Sequence, residues 1–114
     1  MELGGVPYCL IYVTASGREE AERLARVVLE RRLAACANIY APIRSLYWWE
    51  GKIESAEEAV LILKAPQAAY EAIERVILEN HSYQTPAILQ IPLVRGLPAF
   101  LAWIAAETQM PAQG

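Results

Sequence analysis

Residues 34–64 read AACANIYAPIRSLYWWEGKIESAEEAVLILK, and this stretch decides the fold. It reads as two long strands folded back on each other about Glu50-Gly51. A glycine just past an aromatic strand end tolerates the positive φ that a tight hairpin turn requires. Ala35, Ala37, Ile39, Ala41 and Ile43 on one arm, and Ala59, Leu61 and Leu63 on the other, repeat with the period of two that marks a half-buried strand. Pro42 cannot donate to a ladder, so its arm is an edge, a bulge or a bend there. Strands usually run to about 5 or 6 residues, and this hairpin reaches beyond any core that so short a chain can wrap around it. Its tip carries Tyr47, Trp48 and Trp49, and alternation puts aromatic surface on both faces. Such surface calls for a cover, and a second copy of the chain is the economical one.

The flanks complete the order. Upstream, Tyr8–Thr14 is a continuous apolar and β-branched run, which predicts a central strand buried on both faces. Ser16 with Glu19 three residues on forms a capping-box pattern, predicting a helix to about Arg32 with Ala21, Leu24, Ala25 and Val28 inward. Downstream, Pro66 in a first-turn position predicts a helix to about Asn80, with Ala69, Ile73, Val76 and Ile77 inward. A polar connection at 81–86 leads to a strand over 87–93 with Pro92 at an edge. A short helix over 99–107 then buries Phe100, Trp103 and Ile104, and 109–114 reads as a frayed tail. Strand, helix, strand, strand, helix, strand, helix is the order of the α+β ferredoxin-like split βαβ sandwich, an antiparallel sheet with helices on one face. The other face is then bare, which a ring of subunits packed sheet to sheet would cover.

The 114 residues form a single domain over 1–114, with 1–7 and 108–114 as terminal tails. A hydrophobic content of 55% and a mean hydropathy of +0.20 are high for a monomer. The net charge of -3 argues against a nucleic-acid or anionic-membrane binder. No apolar run reaches the roughly 20 residues that span a bilayer, and the amino terminus lacks the pattern of a secretory signal, so the expected location is the cytoplasm.

Few residues carry chemistry. His81 is the single histidine, and with Tyr83 and Gln84 it makes the connection after the second helix the segment richest in polar function. A histidine at a helix carboxyl end is also a routine structural choice, so site and structural readings both stand. Cys9 and Cys36 lie in apolar runs and read as buried free thiols. Cys36 alternates with Asn38 and Tyr40, which also suits a cleft. Thr14–Gly17 could hold an anion on free amides or simply start a helix, and Glu50, Glu54, Glu57 and Glu58 read as a solvated face before a cation site. The sequence has no Cys-x-x-Cys, no His-x-x-x-His and no Asp, so neither a preformed single-chain metal site nor a catalytic triad is indicated. An acylphosphatase-type enzyme on this fold would need an Arg in an anion loop after the first strand and an Asn on a neighbouring strand, and Arg18 and Asn38 are the candidates.

Leu33–Asn38, Ser45–Glu54, Leu63-Lys64 and His81–Pro86, in that order and spacing, resemble the CutA family of divalent-cation tolerance proteins. The resemblance runs from Leu10 to Ile104. It implies a homotrimer whose hairpins (here Tyr47, Trp48, Trp49, Glu50 and Gly51) pair between neighbours, with no enzymatic activity and no obligatory cofactor. It also implies an architecture similar to the PII signalling proteins. A divalent cation such as copper, or a small ligand, would bind in clefts between subunits near Cys36, Lys64, His81, Tyr83 and Gln84. Members described as copper-binding carry a Cys before the Thr-Ala that ends the first strand, and a His-His pair after the second helix. Here those positions hold Val13 and Asn80-His81, so of the three ligand positions only His81 matches. Ala87 stands where many members have Glu. An alternative is a PII-like scaffold whose projecting parts bind a partner protein.

Overall fold

The computed structural model describes residues 5–108. The elements follow one another as β1 (Tyr8–Ala15), α1 (Arg18–Glu30), β2 (Cys36–Trp49), β3 (Lys52–Pro66), a single 3-10 turn (Gln67–Ala69), α2 (Tyr70–Asn80), β4 (Ile88–Pro92) and α3 (Pro98–Glu107). The sheet has the order β2-β3-β1-β4, with all three pairings antiparallel. The expected α+β sandwich with β1 in the centre is therefore present.

The core lies between one sheet face and two helices. Ile11 and Val13 of β1 and Leu61 and Leu63 of β3 meet Leu24 and Val28 of α1 and Ile73 and Ile77 of α2, all fully buried. Burying one such side chain contributes roughly 1.5 to 3 kcal/mol. β1 alternates buried and half-buried residues, although its sequence is apolar throughout. Its second row, with Leu10 and Tyr12, faces an open sheet surface that a single chain does not cover. Cys36, Asn38 and Tyr40 of β2, Val60, Ile62 and Lys64 of β3 and Leu89 and Ile91 of β4 share this open face through the register.

α3 departs from the expected arrangement. α1 and α2 cover one face, but α3 packs at the Lys64 end of the other, where the Lys64 ammonium lies 5.4 Å from the Phe100 ring centre. Only Ile104 is buried. Phe100 and Trp103 remain 39% and 42% exposed, because α3 is short and apolar all round, so one side of it cannot bury every large side chain.

The hairpin is as long as expected, and its register carries a correction. Ala41 and Pro42 together stand opposite Ala59, a bulge that shifts the pairing from Tyr40↔Val60 to Ile43↔Glu58. The Ala41-Pro42 peptide is cis. One extra residue reverses the alternation. Ala37 and Ile39 therefore face the helices, but Ile43 points to the opposite side. Beyond the bulge the two strands form an arm, residues 43–58, with Ile43, Ser45, Tyr47 and Trp49 on one face and Arg44, Leu46 and Trp48 on the other. Leu46, Trp48 and Ile53 are largely exposed, Trp48 at 73%.

Glu50 (φ 50°) and Gly51 (φ 80°) turn the arm back, both in the left-handed region that a two-residue hairpin loop requires. A Cβ on Gly51 would meet no atom within 4 Å. Gly51→Ala is therefore expected to cost roughly 1 to 2 kcal/mol from backbone strain alone. Chemical denaturation of the variant checks this, and an unchanged midpoint would contradict it.

Smaller differences have local causes. Pro66 ends β3 with an extended backbone (ψ 144°) and does not open α2, which starts after the 3-10 turn. Pro98 takes the first turn of α3. α1 stops at Glu30, and Arg32 reverses the chain at φ 59° while its guanidinium donates to the Glu107 carbonyl. Of the expected terminal tails, the Val6 amide donates to Leu93 O, Pro7 O accepts from the Gln67 amide, and Thr108 Oγ1 donates to Ile104 O. The tail at 109–114 lies outside the described residues.

Candidate functional site

Among the described residues, the polar connection after α2 is tied by several hydrogen bonds to β1, α1 and β3. α2 ends at Asn80, whose carbonyl accepts from Arg23 Nη1 at 2.7 Å. The chain then turns under the start of α1. Two backbone amides, those of Ser16 (2.9 Å) and Ser82 (2.7 Å), donate to the Glu20 carboxylate, and Arg23 Nη2 lies 3.3 Å from it. Burial tends to raise the pKa of this carboxyl, but the hydrogen bonds from Ser16 and Ser82 outweigh it and bring the value down to about 2. The capping pattern read at Ser16 and Glu19 is thus displaced by one residue. Gly17 is the cap position, and the amide of Ser16 before it donates forward to the Glu20 carboxylate.

His81 is held on both ring nitrogens. The Tyr83 amide donates to Nδ1 at 3.0 Å, and Nε2 lies 2.7 Å from the Thr14 carbonyl. A carbonyl only accepts and an amide only donates, so this pair of partners selects the neutral ring protonated on Nε2. The side chain is fully buried, 3.8 Å from Glu20 through Nδ1. Its ring packs 4.8 Å from that of Tyr83, whose hydroxyl donates to Glu58 at 2.6 Å. Burial and the Glu58 carboxylate both raise the Tyr83 pKa, so the phenol stays a donor.

The expected cleft residues fall into two groups within one chain. Cys36 pairs with Lys64 at one end of the open face, and Leu10 flanks them. His81 and Tyr83 lie at the other end, against Thr14 and Glu58. Thr14 and Leu10 are four residues apart on β1, which is roughly 13 Å. Gln84 is exposed in the loop. Cys36 is half-buried, not enclosed, with only a weak contact from Sγ to Asn38 Oδ1 at 4.0 Å, and Cys9 is buried. Arg18 donates to the Ala41 carbonyl at 2.9 Å, so it is not poised for an acyl phosphate.

Sequence reasoning missed Glu20, although a signal was present. Glu20 stands four residues before Leu24 and so falls within the apolar stripe of α1. A carboxylate in a buried stripe needs donors, and the free amides at the helix start and in the following loop supply them.

The comparisons with known proteins bear on this architecture. Residues 9–107 match the family described as CutA1 divalent ion tolerance protein. The chain belongs to that family. It is 50% identical over 94 residues to the divalent-cation tolerance protein CutA of Archaeoglobus fulgidus, covering 82% of this chain and 91% of that protein. The solved structure of that archaeal protein, described as periplasmic, superposes with a TM-score of 0.87 at 46% identity, over 90% of this chain and 99% of the other. The crystal structure of CutA1 from Oryza sativa gives a TM-score of 0.90 at 34% identity, over 95% and 99%. The CutA1 fold thus extends over nearly the whole chain.

The residues of one CutA1 chain do not fit a tight resident transition metal here. Among the described residues no three His, Cys, Asp or Glu side chains come together as a ligand set. His81 has both nitrogens engaged, and Val13 and Asn80 offer no strong ligand beside it.

Proposed function

We propose that this chain is the subunit of a homotrimeric, non-catalytic protein of divalent-cation tolerance that works in the cytoplasm. The observation that carries the reading is the apolar surface left uncovered by a fully formed core: Leu46, Trp48, Trp49 and Ile53 on the arm, with Leu89 and Ile91 on the open face. Surface of this extent fits contact with further copies better than contact with water. The ion-tolerance role rests on the family. Two free cysteines suit a reducing compartment. No helix among the described residues is long and apolar enough to cross a membrane.

A cation, copper or another divalent ion, or a small ligand, then binds in clefts between subunits. Assembly there can bring the Cys36 and Lys64 group of one copy towards the His81, Tyr83 and Gln84 group of another. His81 joins a metal site only by giving up one of its two hydrogen bonds, so binding is weak. Titration calorimetry of the metal-free protein with copper and zinc tests this. The expected result is weak heat that disappears in a monomeric variant. A tight site that persists in the single chain would overturn the cleft reading, and no heat above buffer would remove the metal from it.

A second reading is favoured by the arm tip, whose aromatic residues could bind another protein in a PII-like scaffold. Solvent-accessible Trp48 and Trp49 in the assembled protein would favour it, and their full enclosure between copies would rule it out.

A further inference from the structure

The bulge at Ala41-Pro42 interrupts the ladder at the root of the arm, so the pitch of the arm is not set by sheet pairing alone. Among the described residues, two side-chain hydrogen bonds tie this root to the rest of the chain, one on each strand. On β2, Arg18 Nη2 donates to the carbonyl of Ala41, inside the bulge, at 2.9 Å. On β3, Tyr83 donates to Glu58, the residue paired with Ile43 just past the bulge, at 2.6 Å.

Both bonds lead back to the first turn of α1. Arg18 opens that helix. Tyr83 is fixed by its amide on His81, His81 by Thr14, and the adjacent Ser82 amide by Glu20, three residues from the helix cap. The position of the Tyr83 hydroxyl is thus set by the same turn that positions the Arg18 guanidinium. Rings 4.8 Å apart and a fully buried His81 leave this chain of contacts little room to relax.

We propose that the first turn of α1 is a two-point mount for the arm: Arg18 holds Ala41 on one strand and Tyr83, fixed through Glu20, Ser82 and His81, holds Glu58 on the other, and together they set the pitch at which the arm meets another copy. The clause on the other copy rests on the self-assembly proposed above. The mount itself does not, because its bonds lie within one chain. Its consequence is coupling: an event that moves the 81–83 loop or the start of α1 tilts the arm.

Hydrogen exchange by mass spectrometry on the full chain tests the mount, using Tyr83→Phe, Arg18→Met and the double variant. Tyr83→Phe keeps the ring stack and removes only the hydroxyl. Each single variant is expected to speed exchange over residues 41–46 and 54–59 about tenfold, the size of one lost charge-assisted hydrogen bond, and the double variant more than either. Peptides covering Ile11, Leu61 and Ile77 should be unchanged, and Arg18→Lys should restore part of the protection. Glu58→Gln, which keeps an acceptor for the Tyr83 hydroxyl, should fall between wild type and Tyr83→Phe. Root exchange equal to wild type in both single variants would overturn the proposal, as would acceleration spread evenly over core and arm. Sedimentation of the same samples separates the two readings. A monomeric wild type with a tenfold root effect overturns assembly and keeps the mount, and an assembled wild type without the effect does the reverse.

Discussion

Glu20→Ala is expected to lower the stability of the chain by roughly 3 kcal/mol, as the loss of a buried charged acceptor from two backbone donors does. The Ser16 and Ser82 amides, which donate to its two oxygens, would be left without partners, and Arg23 would lose its carboxylate. The carboxylate side chain is only 6% exposed, so water replaces it poorly. Glu20→Gln keeps an acceptor without the charge and should lose about half as much. The same residue gives an acid signature. The folded value of about 2 lies below the ordinary 4.5. The stability Glu20 lends is therefore whole above about pH 4.5 and drains away as pH falls towards 2. That contribution is roughly 2 kcal/mol once partial access of water is discounted. Denaturation midpoints between pH 6 and 3 should fall less steeply for Glu20→Ala than for the wild type. Parallel curves would show that Glu20 does not carry the acid sensitivity.

Ile62→Glu is expected to abolish self-association and leave the single-chain fold in place. Ile62 stands at the centre of the open face, between Tyr12 and Asn38, half-buried and turned away from Leu61 and Leu63. In a single chain the new carboxylate reaches water and the helix-side core is untouched. Under a second copy it would be enclosed without a partner, at a cost of several kcal/mol, or at least a hundredfold in association. Far-ultraviolet circular dichroism and sedimentation on one sample separate the two effects. Loss of secondary structure together with loss of assembly would mean that Ile62 belongs to the folding core.

The fold was legible because local signals agreed with one another. The period of two in 59–63, the stripe on α1 and the Glu50-Gly51 turn each specified an element whose partner was also specified. The misreadings have one physical source: sequence pattern does not report which neighbour fills a surface. β1 is apolar on both rows, and only register shows that Leu10 and Tyr12 face an uncovered side. Phe100 and Trp103 looked like core for the same reason. The parity change at Pro42 was half visible, since a proline there requires a bulge, an edge or a bend, but which of these occurs depends on the pairing with Ala59. At the site, the richness of the 81–86 loop was legible. The engagement of both His81 nitrogens was not, because Thr14 O and the Tyr83 amide are backbone groups that carry no sequence signature.

The central claim is that the uncovered arm and open face are surfaces for further copies of this chain. Sedimentation equilibrium of the wild-type protein tests it most directly. The account predicts a species of three times the 12.7 kDa chain mass that persists on dilution and is replaced by single chains in Ile62→Glu. A wild type that sediments at the mass of one chain, with Trp48 and Trp49 open to a fluorescence quencher, would contradict it.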